Sequence, residues 1–138
     1  MLKPEKKLAT QEIYHGRGIN LRVDTVEKPS GRKTTREVVE HSDCIAAVVI
    51  DDQDNILLVR QFRHAVGKFL LEIPAGGIDP GEEPIDCVRR ELQEEIGYFP
   101  QKIDKLGGFY AIPGYGTKYL YCFFSRHLVT SRLIAEDT

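Results

Sequence analysis

The alternation of apolar and polar residues near the start of the chain predicts a small antiparallel unit. Apolar positions recur every second or third residue from Ile19 to Val26, a polar turn follows at 28–33, and Thr34–Glu40 is predicted to return as a second strand. Isolated hairpins are marginal in water. We therefore expect residues 11–40 to pack on the main domain or on a second subunit.

The centre of the chain is predicted to hold the buried strands. Cys44–Ile50 is continuously apolar and β-branched, and the apolar pattern resumes at Ile56–Val59 after the polar turn 51–55, which predicts a central hairpin. Phe69–Ile73 is a third strand candidate. It stops at the proline and paired glycines of 74–77, where a loop of special geometry is expected.

One helix is predicted, from Pro84 to Ile96. Proline suits the first helical turn, and Gly97 suits the position after the last one. One narrow apolar stripe runs along it, formed by Ile85, Val88, Leu92 and Ile96. Two further strands are expected, at Ile103–Ile112 and Tyr119–Phe124, so that the helix crosses a β-rich sheet.

Composition narrows the function classes. The chain has 138 residues, with 19 Lys and Arg against 21 Asp and Glu, and this balance gives no basic surface for nucleic acid or anionic lipid. The longest apolar run, Cys44–Ile50, is far shorter than the roughly 20 residues of a membrane helix. Three widely spaced cysteines without a CxxC pattern favour buried thiols in a reducing compartment. We expect a soluble, cytoplasmic protein of about one domain.

The end of the predicted helix carries an unusual set of acids. Glu91 and Glu95 lie four residues apart and project from adjacent turns on one side, with Glu94 between them. Like charges at this spacing cost about 0.2–0.5 kcal/mol, and acids at a helix C-terminus oppose the macrodipole. A divalent cation would turn this penalty into a site, because Mg²⁺ favours one or two carboxylates with water and substrate phosphates. The cluster alone leaves a solvated acidic helix end as the alternative, with Arg90 available to orient the carboxylates.

The surrounding segment decides between these two interpretations. Gly76–Tyr98, GGIDPGEEPIDCVRRELQEEIGY, resembles the Nudix box: a glycine, five residues, Glu, seven residues, then Arg-Glu-apolar-x-Glu-Glu-x-Gly-apolar. Eight fixed positions are in register, namely Gly76, Glu82, Arg90, Glu91, Leu92, Glu94, Glu95 and Gly97. Only the terminal aliphatic position differs, because Tyr98 occupies it.

The resemblance implies a fold class and a division of the chain. It implies an α/β protein with a Nudix-type α/β/α sandwich around a mixed β-sheet, preceded by a small N-terminal antiparallel β unit. Residues 1–40 are then a β-hairpin extension that mediates dimerisation. Residues 41–138 are the catalytic domain, expected to lack its C-terminal part, and Glu136 is the candidate for the family's catalytic loop glutamate.

The resemblance also implies chemistry. It implies Mg²⁺- or Mn²⁺-dependent hydrolysis of a nucleoside diphosphate linked to another moiety, with Glu91 and Glu95 as metal ligands and Glu94 as a further ligand. Ala75 matches a position whose backbone carbonyl completes the metal site in relatives. Arg90 is assigned to the catalytic set, and Glu82 is expected to brace the loop against the helix.

Residues outside the box point to one branch of the family. Arg60–Arg63 followed by Leu71–Gly77 is similar to the ADP-ribose pyrophosphatase branch. This similarity places Arg63 near the substrate phosphates and Glu72 beside the nucleotide-sugar pocket. Pro113 lies 15 residues after Tyr98, a spacing associated with ADP-ribose hydrolases.

The function implied is hydrolysis of ADP-ribose or a related nucleoside diphosphate sugar to a nucleoside monophosphate and a sugar phosphate. A homodimer is implied, and neither nucleic acid nor membrane is expected as a partner. GDP-mannose or another nucleotide sugar is an alternative substrate. A catalytically silent nucleotide-sugar-binding module is a second alternative, since Lys118 stands where relatives often carry an acid.

Overall fold

A computed structural model describes residues 1–135, and these residues form two compact units. The first contains Met1–Ser42 together with Tyr110–Tyr119, and the second contains Asp43–Phe109 and residues 120–135. Within the described part of the chain, no helix is long and apolar enough to cross a membrane.

Nine strands and one helix follow one another within residues 1–135. They are β1 (Lys6–His15), β2 (Asn20–Glu27), β3 (Lys33–Glu40), β4 (Cys44–Val49), β5 (Val59–Arg63), β6 (Lys68–Glu72), β7 (Ala75–Gly77), α1 (Pro84–Glu95), β8 (Tyr98–Tyr110) and β9 (Tyr119–Thr130).

The first unit contains a three-stranded antiparallel sheet in the order β1-β2-β3. β2 and β3 pair in unbroken register from Asn20 opposite Glu40 to Glu27 opposite Lys33, which confirms the predicted antiparallel pair. The sequence did not indicate β1. Two register shifts interrupt the pairing of β1 with β2, and each bulge breaks the two-residue alternation by which a strand is found in a sequence.

The second unit is built on a mixed sheet in the order β7-β4-β9-β8. β4 lies antiparallel to β7 and parallel to β9, so the predicted mixed sheet is confirmed. The predicted helix is also confirmed, since α1 begins at Pro84 and its C-cap is Ile96. The residues of α1 that pack with β4 in the core are Cys87, Val88 and Leu92. Of the other two residues of the predicted apolar stripe, Ile85 is exposed and Ile96 is partly buried against the core. Among residues 1–135, α1 is the one helix.

The predicted central hairpin forms around its turn but is short. The Asp51 carboxylate accepts from the backbone N–H groups of Gln53 and Asn55 in the polar turn. Beyond it, Ile56 forms an isolated antiparallel bridge to Ile50, and the Leu57 N–H donates to the Val49 carbonyl at 2.9 Å. From Val59 onward the chain pairs as β5 with β6 in a separate two-stranded sheet.

Candidate active site

Arg90 joins the box loop to the helix. Its Nε and Nη2 donate to the two carboxylate oxygens of Glu82 at 2.9 and 3.0 Å, and Nη2 also donates to the Gly77 carbonyl at 3.0 Å. The hydrogen bonds from Arg90 outweigh the effect of burial and hold the pKa of Glu82 down to about 2. Glu82 therefore braces the loop against α1, the role expected from the sequence.

This ion pair predicts an acid-dependent loss of stability. A depressed carboxylate pKa contributes stability that is complete above the unfolded value near 4.5 and is lost as the pH falls toward 2. Glu82→Gln should lower the free energy of unfolding at pH 7 by about 1.5–3 kcal/mol, the range for hydrogen bonds to charged groups. Urea unfolding at pH 7 and pH 3 measures the stability lost in the variant and its dependence on pH.

The exposed pair of Arg89 with Asp86 provides the control. Its N···O distance is 2.8 Å, close to that of the Glu82 pair, but the two side chains are 40% and 57% exposed, against 25% and 15% for Arg90 and Glu82. Asp86→Asn should cost less than about 1 kcal/mol at pH 7. Equal losses for the two variants at pH 7, or an unchanged difference at pH 3, would contradict the bracing role.

Glu91 lies in a cradle that only a glycine at position 76 leaves open. Its side chain is 12% exposed and accepts from Arg90 Nη1 at 2.9 Å. A Cβ atom at Gly76 would overlap the Glu91 carboxylate. Burial, followed by the charge of Glu94, raises the pKa of Glu91 although Arg90 opposes the shift. The first glycine of the box thus makes room for a buried acid.

Glu95 lies beside the start of β7. Its Oε2 accepts from the Ala75 N–H at 3.2 Å. Burial, reinforced by the charge of Glu91, raises the pKa of Glu95 to about 7, and the charge of Arg63 acts in the opposite direction. The two box carboxylates are thus close enough to repel each other. Ala75 meets Glu95 through its amide, and the carbonyl role expected for Ala75 remains a prediction.

Arg63 and Glu72 form a fork-like pair across the β5–β6 hairpin. Arg63 Nε and Nη2 donate to the two oxygens of Glu72 at 2.7 and 3.0 Å. Glu72 lies opposite Val59, which is four residues from Arg63 on β5. Directly paired residues, and residues an even number apart on one strand, share a face, so both side chains project from the same side. The pair fixes the guanidinium in a position from which its charge reaches Glu95.

The carboxylates suit a hard divalent cation. Within residues 1–135, no three His, Cys, Asp or Glu side chains converge as a ready-made metal cluster. Mg²⁺ does not require one, because it binds through one or two carboxylates and completes its shell with water and phosphate oxygens. Buried Glu91 and half-buried Glu95 offer carboxylate oxygen donors with raised pKa values, which a bound cation would lower. Glu94, 3.3 Å from Arg90 Nη1, is the third acid at this end of the helix.

One predicted residue, Pro113, falls outside this cluster. Pro113 is exposed in a turn of the first unit, whereas the box belongs to the second, so its role in substrate binding remains a prediction. Glu136 lies outside the described residues. Sequence reasoning also missed Arg132, whose Nη1 donates to the Glu94 carbonyl at 3.3 Å. The two residues are 38 positions apart, and no local pattern links them.

Comparisons with known proteins agree with this geometry. The NUDIX domain model matches residues 40–138, and the model of the nucleoside diphosphate sugar hydrolase N-terminal domain matches residues 5–39. The chain is 38% identical to "ADP-ribose pyrophosphatase" of Bacillus subtilis (strain 168) and 36% identical to "Methanol dehydrogenase activator" of Bacillus methanolicus. Each match covers 90% of this chain and 67% of the relative.

A solved structure described as "Crystal structure of ADP compounds hydrolase" has the same fold. Its TM-score is 0.90 at 22% identity, over 99% of this chain and 74% of that chain. The similarity therefore covers both the N-terminal sheet and the mixed sheet that carries α1.

Proposed function

Because the chain belongs to the NUDIX domain family, we propose that it hydrolyses the pyrophosphate bond of ADP-ribose or a related nucleoside diphosphate sugar. The products would be AMP, or the corresponding nucleoside monophosphate, and a sugar phosphate. The observation that carries this proposal is the pairing of buried Glu91 with half-buried Glu95 on α1, next to the Gly76 loop. The name of the Bacillus subtilis relative supports the choice of ADP-ribose.

Members of this family generally use divalent metal ions. We propose that Glu91 and Glu95 hold Mg²⁺ or Mn²⁺, with Glu94 as a further ligand and the Ala75 carbonyl completing the set. Bound there, such an ion would neutralise charge on the pyrophosphate oxygens and make water more acidic. Arg90 holds the carboxylates of Glu91 and Glu94 in place from the side of the loop.

Arg63 is proposed to bind the substrate phosphates. Glu72 occupies its Nε and Nη2, and within residues 1–135 its Nη1 has no hydrogen-bond partner. A guanidinium fixed on one edge loses little side-chain entropy when its other edge binds a phosphate. Glu72 would then position Arg63 from beside the sugar pocket, and Pro113 is proposed as a further substrate-binding residue.

A nucleotide-sugar panel tests the activity. The chain is incubated with ADP-ribose, GDP-mannose or other nucleoside diphosphate sugars, with Mg²⁺ or with EDTA, and the nucleoside monophosphate is quantified. We expect AMP from ADP-ribose with Mg²⁺ and none with EDTA. Faster turnover of another nucleotide sugar would reassign the substrate. Binding of ADP-ribose without turnover at high Mg²⁺ would support a silent binding module instead.

We further propose that residues 1–40 mediate a homodimer and that residues 41–138 carry catalysis. β1 is exposed along its whole length and forms an edge of its sheet, and edge strands pair readily with other chains. Its exposed apolar side chains are Leu8, Ile13 and Tyr14. Sedimentation at twice the chain mass of 15.7 kDa would support the dimer. The three free cysteines fit a cytoplasmic location.

A further inference from the structure

The C-terminal end of α1 lacks the positive charge that usually stabilises a helix end. Its last turn contains Glu94 and Glu95 and no basic residue. The negative end of the macrodipole and the last carbonyl groups of the helix both require a partner. The need for a positive or hydrogen-bonding partner is greater here, because the last turn also carries two of the acids proposed to bind the cation.

The segment 131–133, which follows β9, meets this requirement from a distant part of the sequence. The Leu133 N–H donates to the Gln93 carbonyl at 3.1 Å, and the Gln93 side chain donates to Ser131 Oγ at 2.8 Å. Arg132 Nη1 donates to the Glu94 carbonyl at 3.3 Å. Two carbonyls of the last turn are therefore satisfied from outside the helix.

Gly97 gives the Arg132 guanidinium access to the helix end. Its φ of +72° lies in the left-handed region that favours glycine. A Cβ atom at this position would lie 2.8 Å from Arg132 Nη2. The Ser131 N–H also donates to the Gly97 carbonyl at 2.9 Å. The last glycine of the box thus serves both the chain reversal and the approach of the arginine.

We propose that Arg132 is a positioning residue that holds the last turn of α1 in the conformation in which Glu94 and Glu95 receive a divalent cation. The inference rests on the proposed function. Arg132 acts on the backbone that carries the two acids, and its positive charge lies at the end of the helix where the macrodipole is negative. Arg132 thereby supplies, from a segment outside the box, the positive charge that the last turn of α1 does not contain.

Calorimetric titration of Mn²⁺ alone into the metal-free chain tests the proposal without requiring turnover. Arg132→Ala should weaken Mn²⁺ binding about tenfold, the lower end of the effect of outer-shell partners on metal affinity. Arg132→Lys, which keeps one donor and the charge, should recover most of this loss. Arg126→Ala is the matched control, because Arg126 lies on β9, the strand that leads into Arg132, and bonds Asp54 instead of a residue of α1. It should bind Mn²⁺ like the unchanged chain.

Equal Mn²⁺ affinity of Arg132→Ala and the unchanged chain would overturn the inference, as would an Arg132→Lys variant no better than Arg132→Ala. If Arg132→Ala does not fold, Arg132→Gln replaces it, and Arg132→Lys must bind Mn²⁺ more tightly than Arg132→Gln. A chain that binds Mn²⁺ in this order yet releases no AMP would overturn the proposed hydrolysis and leave the role of Arg132 standing. AMP release by the unchanged chain, together with unaltered Mn²⁺ binding in Arg132→Ala, would overturn the role of Arg132 and leave the proposed hydrolysis standing.

Discussion

Glu95→Gln should abolish the release of AMP from ADP-ribose and at the same time raise the melting temperature of the metal-free chain. Glutamine keeps the shape of the side chain and can still accept from the Ala75 N–H, but it removes the charge proposed to hold the cation. A metal supplies several kcal/mol of transition-state stabilisation, and about 1.4 kcal/mol is a factor of ten. We therefore expect kcat/KM to fall at least about a thousandfold.

The stability gain follows from the raised pKa of Glu95. The unfolded chain loses this proton near pH 4.5 and the folded chain near pH 7, so folded stability falls as the pH rises through that window. At pH 8 in EDTA the variant avoids this cost and should be more stable by about 1–2 kcal/mol, or several degrees in melting temperature. Below pH 4.5 the two proteins should melt alike.

Glu83→Gln is the matched control for this prediction. Glu83 is the exposed N-cap of the same helix and makes no side-chain cap hydrogen bond. It should retain the activity of the unchanged chain and should not gain stability at pH 8. Retained activity in Glu95→Gln, or a lower melting temperature at pH 8 than the unchanged chain, would contradict the assignment of Glu95.

Gly76→Ala should reduce kcat/KM about a hundredfold, the scale of a 1 Å misplacement of a catalytic group. The three atoms nearest to a new Cβ belong to the Glu91 carboxylate, at the end of a flexible side chain. The carboxylate can rotate away, so the expected stability cost is about 1–3 kcal/mol and the chain should still fold. Activity assays and thermal melts on the same samples separate the two effects.

Gly18→Ala controls for the general effect of an added methyl group. A Cβ atom at Gly18 meets nothing within 4 Å, and this glycine has no left-handed φ. Its free energy of unfolding should change by no more than about 0.5 kcal/mol, as for other surface substitutions. Full activity in Gly76→Ala would show that Glu91 does not need the position in which the structure places it.

The sequence was most informative where spacing alone determines geometry. The positions of Arg90, Glu91 and Glu95 on a helix beginning at Pro84 follow from the 3.6-residue period and from the proline and glycine at its ends. The side chains that share one face of α1 are therefore predictable from the sequence alone. A bracing role for Glu82 was likewise expected from its place in the box, and the structure identifies Arg90 as its partner.

The sequence was least informative where a contact joins distant segments. The pairing of β4 with β9 brings residues more than 70 positions apart into register, and no local pattern encodes that choice. The same holds for Arg132, which reaches the end of α1 only because β9 returns there. The raised pKa values of Glu91 and Glu95 depend on burial by neighbouring segments, so the spacing of the acids could not reveal them.

The central claim is that Glu91 and Glu95 together hold a divalent cation, and Mn²⁺ electron paramagnetic resonance tests it most directly. The signal of free Mn²⁺ should decrease in proportion to added chain, and the double variant Glu91→Gln/Glu95→Gln should leave it undiminished at the same concentrations. An equal loss of signal with the unchanged chain and the double variant, or no loss with either, would contradict the claim.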